Sequence, residues 1–293
     1  MFVGKFLLIA LLYRLVWRIE TSSECMCREI LMEEDSKGDS KEESEEETPL
    51  KIDLDTIKYA SRRWPNKTIY VNSSLVMEPL QHFVYKAMDY LNSVTCINFL
   101  NTTVPKSGPE IYIARDMGCA SLVGFSGKDQ PLTMWDTCYL TNGIIIHEML
   151  HAAGLYHHHS RADRDQYIFV NFSNIIDDLA HNYKKNKGYH GLLVTMGVPY
   201  DYHSVMHYGK NGFDKDPNYP SIVVLGDRDV EIGQRLFATR TDIATINRYY
   251  ECRDHYLGDD IPGSVPYDEW FRKYMGLFKA AKFKYLTDED KIE

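Results

Sequence analysis

The sequence predicts an α+β fold. Three observations carry that prediction: stretches with apolar residues at helical spacing, short β-branched or aromatic runs bounded by turn residues, and no βαβ rhythm linking the two. The chain has 293 residues, enough for one sizeable core plus extensions, and its 44% apolar content is ordinary for a globular protein.

The N-terminus reads as an export signal over residues 1–23. Lys5 supplies the positive region, Phe6 to Tyr13 a short apolar run, and Thr21-Ser22-Ser23 a small-residue cleavage region. Arg14 interrupts the apolar run, which is too short for a transmembrane helix. Six cysteines and four N-x-S/T sequons, at Asn66, Asn72, Asn101 and Asn171, fit the same oxidising, secreted setting. Residues 24–55 form an acidic segment, within which residues 33–47 carry nine acids against two lysines. Such a run cannot bury a core. The net charge of −9 argues against a general nucleic-acid binder, but most of it lies in this run, so the sign says little about substrates.

Trp64-Pro65 opens the folded part, and Ile69-Tyr70-Val71 reads as a strand. Residues 76–93 place Leu80, Phe83, Val84, Met88 and Leu91 on one helical face. Ile97–Phe99, Ile111–Ile113 and Leu122–Phe125 are short strand candidates, and helices are expected over 142–154 and 239–250. The tail, residues 254–293, has no cysteines. Within it, Trp270, Phe271, Tyr274, Leu277, Phe278 and Ala281 form an apolar stripe over 267–286. That stripe suits packing on the chain's own core, or contact with a partner or a membrane surface.

Residues 144–157 read IIIHEMLHAAGLYH. His147 and His151, four apart, stack on one helix face, which suits two ligands of one tetrahedral zinc. Glu148 projects beside that metal, where it can take a proton from bound water. A continuing helix would carry His157 about 240° away from the metal face. The helix must therefore end first, and Gly154 sits where it can end, because glycine accepts a left-handed terminus. His157 then returns as the third ligand. His158 and His159 read as solvated neighbours of a ligand. Downstream, Met206 within Ser204–Tyr208 fits the methionine turn that lies under the histidines of extended H-E-x-x-H-x-x-G-x-x-H zinc sites, and Tyr208 could reach the metal or an oxyanion.

These motifs resemble the astacin family of metzincin endopeptidases over roughly residues 56–253. The resemblance continues through Arg161, Asp163, Arg164 and Asp165, the S-x-M-H-Y turn at Ser204 to Tyr208, Gly118-Cys119, Ile232 to Arg235 and Tyr250 to Cys252. It implies a metzincin-type domain: an N-terminal mixed sheet with two long helices, an irregular C-terminal subdomain, and an active-site cleft between them. It implies one zinc per chain on His147, His151 and His157, with Glu148 as general base, Tyr208 as a resting ligand that swings to stabilise the tetrahedral intermediate, and Met206 as the floor. It implies disulfides Cys96–Cys252 and Cys119–Cys138, Arg235 as reader of an acidic residue after the scissile bond, and protein or peptide substrates. Residues 24–55 would be the prosegment, with Asp39 as the residue that caps the zinc, or a thiolate of Cys25 or Cys27 in its place. Two departures stand out. Leu155 replaces a phenylalanine, and His158 replaces the glutamate that anchors the trimmed N-terminus, so exact trimming is expected to matter less here. The rival expectation, a catalytically silent secreted zinc-binding protein, would call for loss of Glu148 or a ligand, and all are present.

Overall fold

The computed structural model describes residues 62–102, 108–186, 195–227 and 229–273. The expected signal, the acidic segment with Cys25, Cys27 and Asp39, and residues 274–293 lie outside them.

The first half builds one mixed sheet from β1 (Thr68–Asn72), β2 (Asn98–Asn101), β3 (Ile111–Ala114), β4 (Cys119–Ser121) and β5 (Gln130–Met134). Its order is β2-β1-β3-β5-β4, parallel except where β4 runs antiparallel to β5 at the edge. α1 (Glu78–Val94) crosses from β1 to its parallel neighbour β2, so one βαβ unit exists, too few to make a rhythm in the sequence. Val84, Ala87, Met88 and Leu91 are its buried stripe. The strand expected at Leu122–Phe125 is a loop instead. Gly124 has φ 73°, and its N–H bonds the carbonyl of His151 at 2.9 Å, which ties this loop to the helix that carries His147 and His151. The strand lies just before it, where Cys119 reaches Cys138. β5 escaped the sequence reading because Pro131 interrupts its pattern; β4 pairs only with Leu132 to Met134, so the proline costs no bond there.

α2 (Asn142–Ala153) is buried from Gly143 onward, and α3 (Arg240–Tyr249) packs into the same core. A second, smaller core surrounds the antiparallel pair of β6 (Ile168–Val170) and β7 (Ile222–Val224), with Ile175, Tyr183, Tyr208 and Ile232. Short 3-10 turns make up most of the regular structure there, which matches the irregular C-terminal subdomain. Met206 belongs to the first core and Tyr208 to the second, so the turn between them lies where the two meet. Two disulfides tie the chain: Cys96–Cys252 spans 156 residues and Cys119–Cys138 spans 19. In the loop-entropy account these contribute about 4–5 and about 3 kcal/mol.

The chain after Cys252 is part of this packing. Arg248, its side chain fully buried, donates to the carbonyls of Leu257 (2.7 Å), Met196 (2.9 Å) and Val265 (3.0 Å) and pairs with Asp259 at 2.9 Å. Residues 267–273 are helical, with Tyr267 and Trp270 buried and Phe271 packed against the first core. Of the two roles the apolar stripe suits, its described part, Trp270 and Phe271, takes the first, packing on the chain's own core. Among the described residues, no helix is long and apolar enough to cross a membrane. Of the four sequons, Asn66 and Asn101 are exposed and Asn72 and Asn171 half-buried. The amides of Asn72 and Asn101 are engaged, donating to Glu110 (2.9 Å) and to the Tyr85 hydroxyl (3.1 Å).

Candidate metal centre

The site is built on the end of α2. Leu155 N–H reaches back to the carbonyl of Leu150 at 2.9 Å and Gly154 N–H to that of His151 at 2.8 Å, the paired bonds of a Schellman ending. Gly154 takes φ 120°, and a Cβ there would sit 2.6 Å from the Tyr249 ring, so both backbone and packing require glycine. The last turn is capped from outside. Trp64 donates its indole N–H to the carbonyl of Ala152, and the Tyr250 hydroxyl donates to that of Ala153, each at 2.8 Å. After the break, residues His158–Ser160 form a 3-10 turn, and His158 N–H bonds the carbonyl of Met206 at 2.9 Å. That bond seats the third histidine on the methionine turn.

The three imidazoles converge. His151 Nε2 lies 3.1 Å from His147 Nε2 and 3.0 Å from His157 Nε2, and all three side chains are buried. His147 Nδ1–H donates to the carbonyl of Val205 (2.7 Å) and His151 Nδ1–H to that of Leu155 (2.6 Å). With those protons committed, the Nε2 lone pairs face one another and repel unless a cation lies between them. Zinc–nitrogen bonds of about 2.0–2.1 Å in tetrahedral geometry need ligand nitrogens about 3.3 Å apart, close to the spacing found. The donor set therefore fits zinc. Burial, then the charge of Arg235, holds His147 and His157 well below the ordinary imidazole range, so both are neutral and able to ligate. Glu148 follows His147 on α2 and is fully buried. Tyr208 packs its ring 4.3 Å from that of His157.

Arg235 is strapped to the start of α2: Thr141 Oγ1 donates to its carbonyl at 2.5 Å, and its Nη1 donates to the carbonyls of His207 and Gln234, each at 2.9 Å. The arginines of the R-x-D-R-D run are braces. Arg161 pairs with Asp163 at 2.7 Å and donates to the carbonyls of Val198 and Pro199, and Arg164 donates to those of His159 and Tyr183.

His158 and His159 are not solvated. They are 8% and 0% exposed, because the 3-10 turn tucks beneath the methionine turn instead of running over the surface. His158 Nε2 accepts the N–H of Asp201 at 2.9 Å, and burial keeps the ring neutral, so it offers no anion to a chain terminus. Asp242 is a further site residue the sequence reading missed. It accepts from Ser204 Oγ (2.5 Å) and from Val205 N–H (2.9 Å), the residue whose carbonyl holds His147. Its signal was present: with Thr239 it forms the T-x-x-D capping box that starts α3.

A model of the peptidase family described as Astacin matches residues 56–251. The chain belongs to the astacin family. It is 34% identical over 200 residues to the low choriolytic enzyme of Oryzias latipes, covering 66% of this chain and 70% of that protein. It is 36% identical over 208 residues to zinc metalloproteinase nas-13 of Caenorhabditis elegans, covering 69% of this chain and 44% of that one. Against the astacin-like metalloendopeptidase of Gallus gallus, identity is 38% over 193 residues, covering 65% and 46%. The chain therefore spans less than half of the latter two. Among solved structures, high choriolytic enzyme 1, a hatching enzyme zinc-protease from Oryzias latipes, superposes with TM-score 0.59 at 34% identity, covering 65% of this chain and 94% of that one. The fold is that of an astacin-family zinc protease, and the three-histidine group is consistent with the zinc site of that family.

The buried imidazoles set a pH dependence. His147, His157, His158, His159 and His207 are all held below the ordinary imidazole value, chiefly by burial. The stability they contribute is full above about pH 6.5 and is lost as pH falls toward the folded values. Asp242 works the other way. Burial pushes it up to about 6, so its contribution is full below about pH 4 and lost as pH rises through 6. Each imidazole is worth up to about 1.4 kcal/mol per pH unit, so the histidines outweigh the one carboxyl. Calorimetry of the metal-free protein should show Tm falling from pH 7 to pH 5. A flat or rising Tm over that range would contradict the burial of these rings.

Proposed function

We propose that this chain is a secreted zinc-dependent endopeptidase that hydrolyses internal peptide bonds of protein substrates, with Glu148 as general base. The observation that carries the proposal is the convergence of three imidazole nitrogens around one point, with Glu148 buried beside His147 on the same helix. Zinc held by His147, His151 and His157 would supply Lewis-acid polarisation and lower the pKa of a water. The chain's own groups do the rest. Glu148 takes the proton of the attacking water and passes it to the leaving amine nitrogen. The Tyr208 hydroxyl donates a hydrogen bond to the carbonyl oxygen as it gains charge. Met206, at 1% exposure, supports the histidines from below, and its carbonyl holds the His158 N–H. Export is supported by the N-terminal pattern and by the two disulfides, which persist in oxidising compartments.

Mass spectrometry of casein fragments tests the reading. Internal cleavage by zinc-loaded protein freed of residues 1–55 is the expected result. Intact casein with zinc bound would favour a silent binding protein.

Arg235 is the specificity residue in this reading. Its Nη1 is spent on backbone carbonyls, while its charge reaches His147 and His157, which places a cation beside the reacting centre. Arg235→Glu should lower kcat/KM about 10-fold more for peptides with Asp after the scissile bond than for those with Ala, the scale of one charge-assisted hydrogen bond. Loss of the two carbonyl contacts is common to both peptides, so only the difference counts. Equal losses would remove Arg235 from the specificity site.

A further inference from the structure

Tyr208 is enclosed by rings. His157 lies 4.3 Å away at 59°, Tyr183 at 5.6 Å and Phe213 at 5.8 Å meet it edge-on, and of these four rings His159 is the one that stacks on it, at 4.0 Å and 28°. An edge contact lets a ring tilt and slide. A stacked face confines it to motion in its own plane.

His159 is itself held at its ring and at its backbone. Its Nε2–H donates to the carbonyl of Asn182 at 3.1 Å, and its own carbonyl accepts from Arg164 Nη1 at 3.0 Å. The same Nη1 donates to the carbonyl of Tyr183 at 2.5 Å, and the Tyr183 hydroxyl is fixed to the carbonyl of Gly212. One guanidinium thus clamps the backbone under two of the rings that enclose Tyr208. His159 and Asn182 are 0% and 1% exposed, so neither anchor competes with solvent. His159 plays no part in ligation: its Nε2 is committed to Asn182, and it lies outside the converging group of His147, His151 and His157.

We propose that His159 is a positioning residue for Tyr208, the flat wall that confines the phenol to one plane of motion beside His157. This rests on the reading of Tyr208 as hydrogen-bond donor to the developing oxyanion. The Nε2–H anchor fixes the wall, and the ring face does the positioning. Ring and anchor are therefore separable by substitution.

The experiment measures kcat and KM on an internally quenched peptide for the zinc-loaded full catalytic chain. The variants are His159→Gln, His159→Phe, Tyr208→Phe and the pair His159→Gln with Tyr208→Phe, with zinc content and Tm recorded for each. His159→Gln keeps an N–H for Asn182 but removes the ring. Its kcat should fall about 10-fold or more, the cost of a displaced catalytic group, with KM unchanged within about 2-fold. His159→Phe restores the plane without the anchor and should recover most of that loss. Tyr208→Phe should lower kcat about 10²-fold, and adding His159→Gln should lower it no further. Additive losses in the pair, or an unimpaired His159→Gln, would overturn the positioning role. So would loss of zinc from His159→Gln, which would make the residue a support of His157 instead. Should His159→Gln not fold, His159→Leu fills the space without a plane and carries the same expectation. Full activity of Tyr208→Phe would instead remove the donor role of Tyr208, a separate failure visible in that variant alone.

Discussion

Glu148→Gln is expected to keep its zinc and its Tm and to lose roughly 10³-fold or more in kcat/KM, almost entirely in kcat. Glu148 is outside the converging histidine group, so the amide leaves the three ligands and their Val205 and Leu155 braces in place. In the proposed mechanism, what disappears is a proton acceptor for the attacking water and a donor for the leaving amine. General acid–base catalysis is worth about 10²–10⁴-fold, and here one residue serves both steps. His151→Ala separates the two functions of this helix: it should lose zinc together with activity, because a structural or catalytic zinc needs at least three protein ligands. If Glu148→Gln retained most of the wild-type rate, another base would have to be sought.

Arg248→Ala should destabilise the folded chain by about 3–5 kcal/mol, the cost of leaving backbone carbonyls without their donor together with the lost packing of a buried side chain. Arg248 satisfies the carbonyls of Leu257, Met196 and Val265 and pairs with Asp259. Its loss leaves those carbonyls without this donor and loosens the segment that seats Trp270 beside Gly197, where a Cβ would meet the indole at 2.8 Å. Urea unfolding should show the lower midpoint, and limited proteolysis should cut earliest between residues 254 and 266. A loss under about 1 kcal/mol would mean that this segment is not fastened through Arg248.

The metal site was the most legible part of the chain, because its chemistry is written in short, fixed offsets. His147 and His151 share a helix face, Gly154 marks the break, and His157 follows within three residues of it. α1 and α3 were legible by their helical period, and α3 also by its local capping box. What the sequence hid depends on contacts made far along the chain. β5 carries a proline whose harmlessness is visible only once β4 is known to stop short of it. β6 and β7 are three residues each and 54 positions apart at their starts, too short for a period and too distant for a hairpin signal. His158 and His159 looked like a polar surface run, because burial of three consecutive histidines needs partners such as Asp201 and Asn182 that only the fold brings close. The tail past Cys252 suited packing on the core, but its fastening was hidden because the residue that binds it, Arg248, reads locally as an ordinary helix cation. Asp242 was within reach, since its capping box is local, but its second task at Ser204 and Val205 is not.

The central claim is that one zinc held by His147, His151 and His157 makes this chain a peptidase. The most direct measurement is a zinc titration of chelator-stripped protein, freed of residues 1–55, with metal content and peptide cleavage read on the same samples. Cleavage should be absent without metal, rise in proportion to bound zinc and level off at one zinc per chain. Cleavage that persists in fully stripped protein, or that stays absent at one bound zinc per chain, would contradict the account.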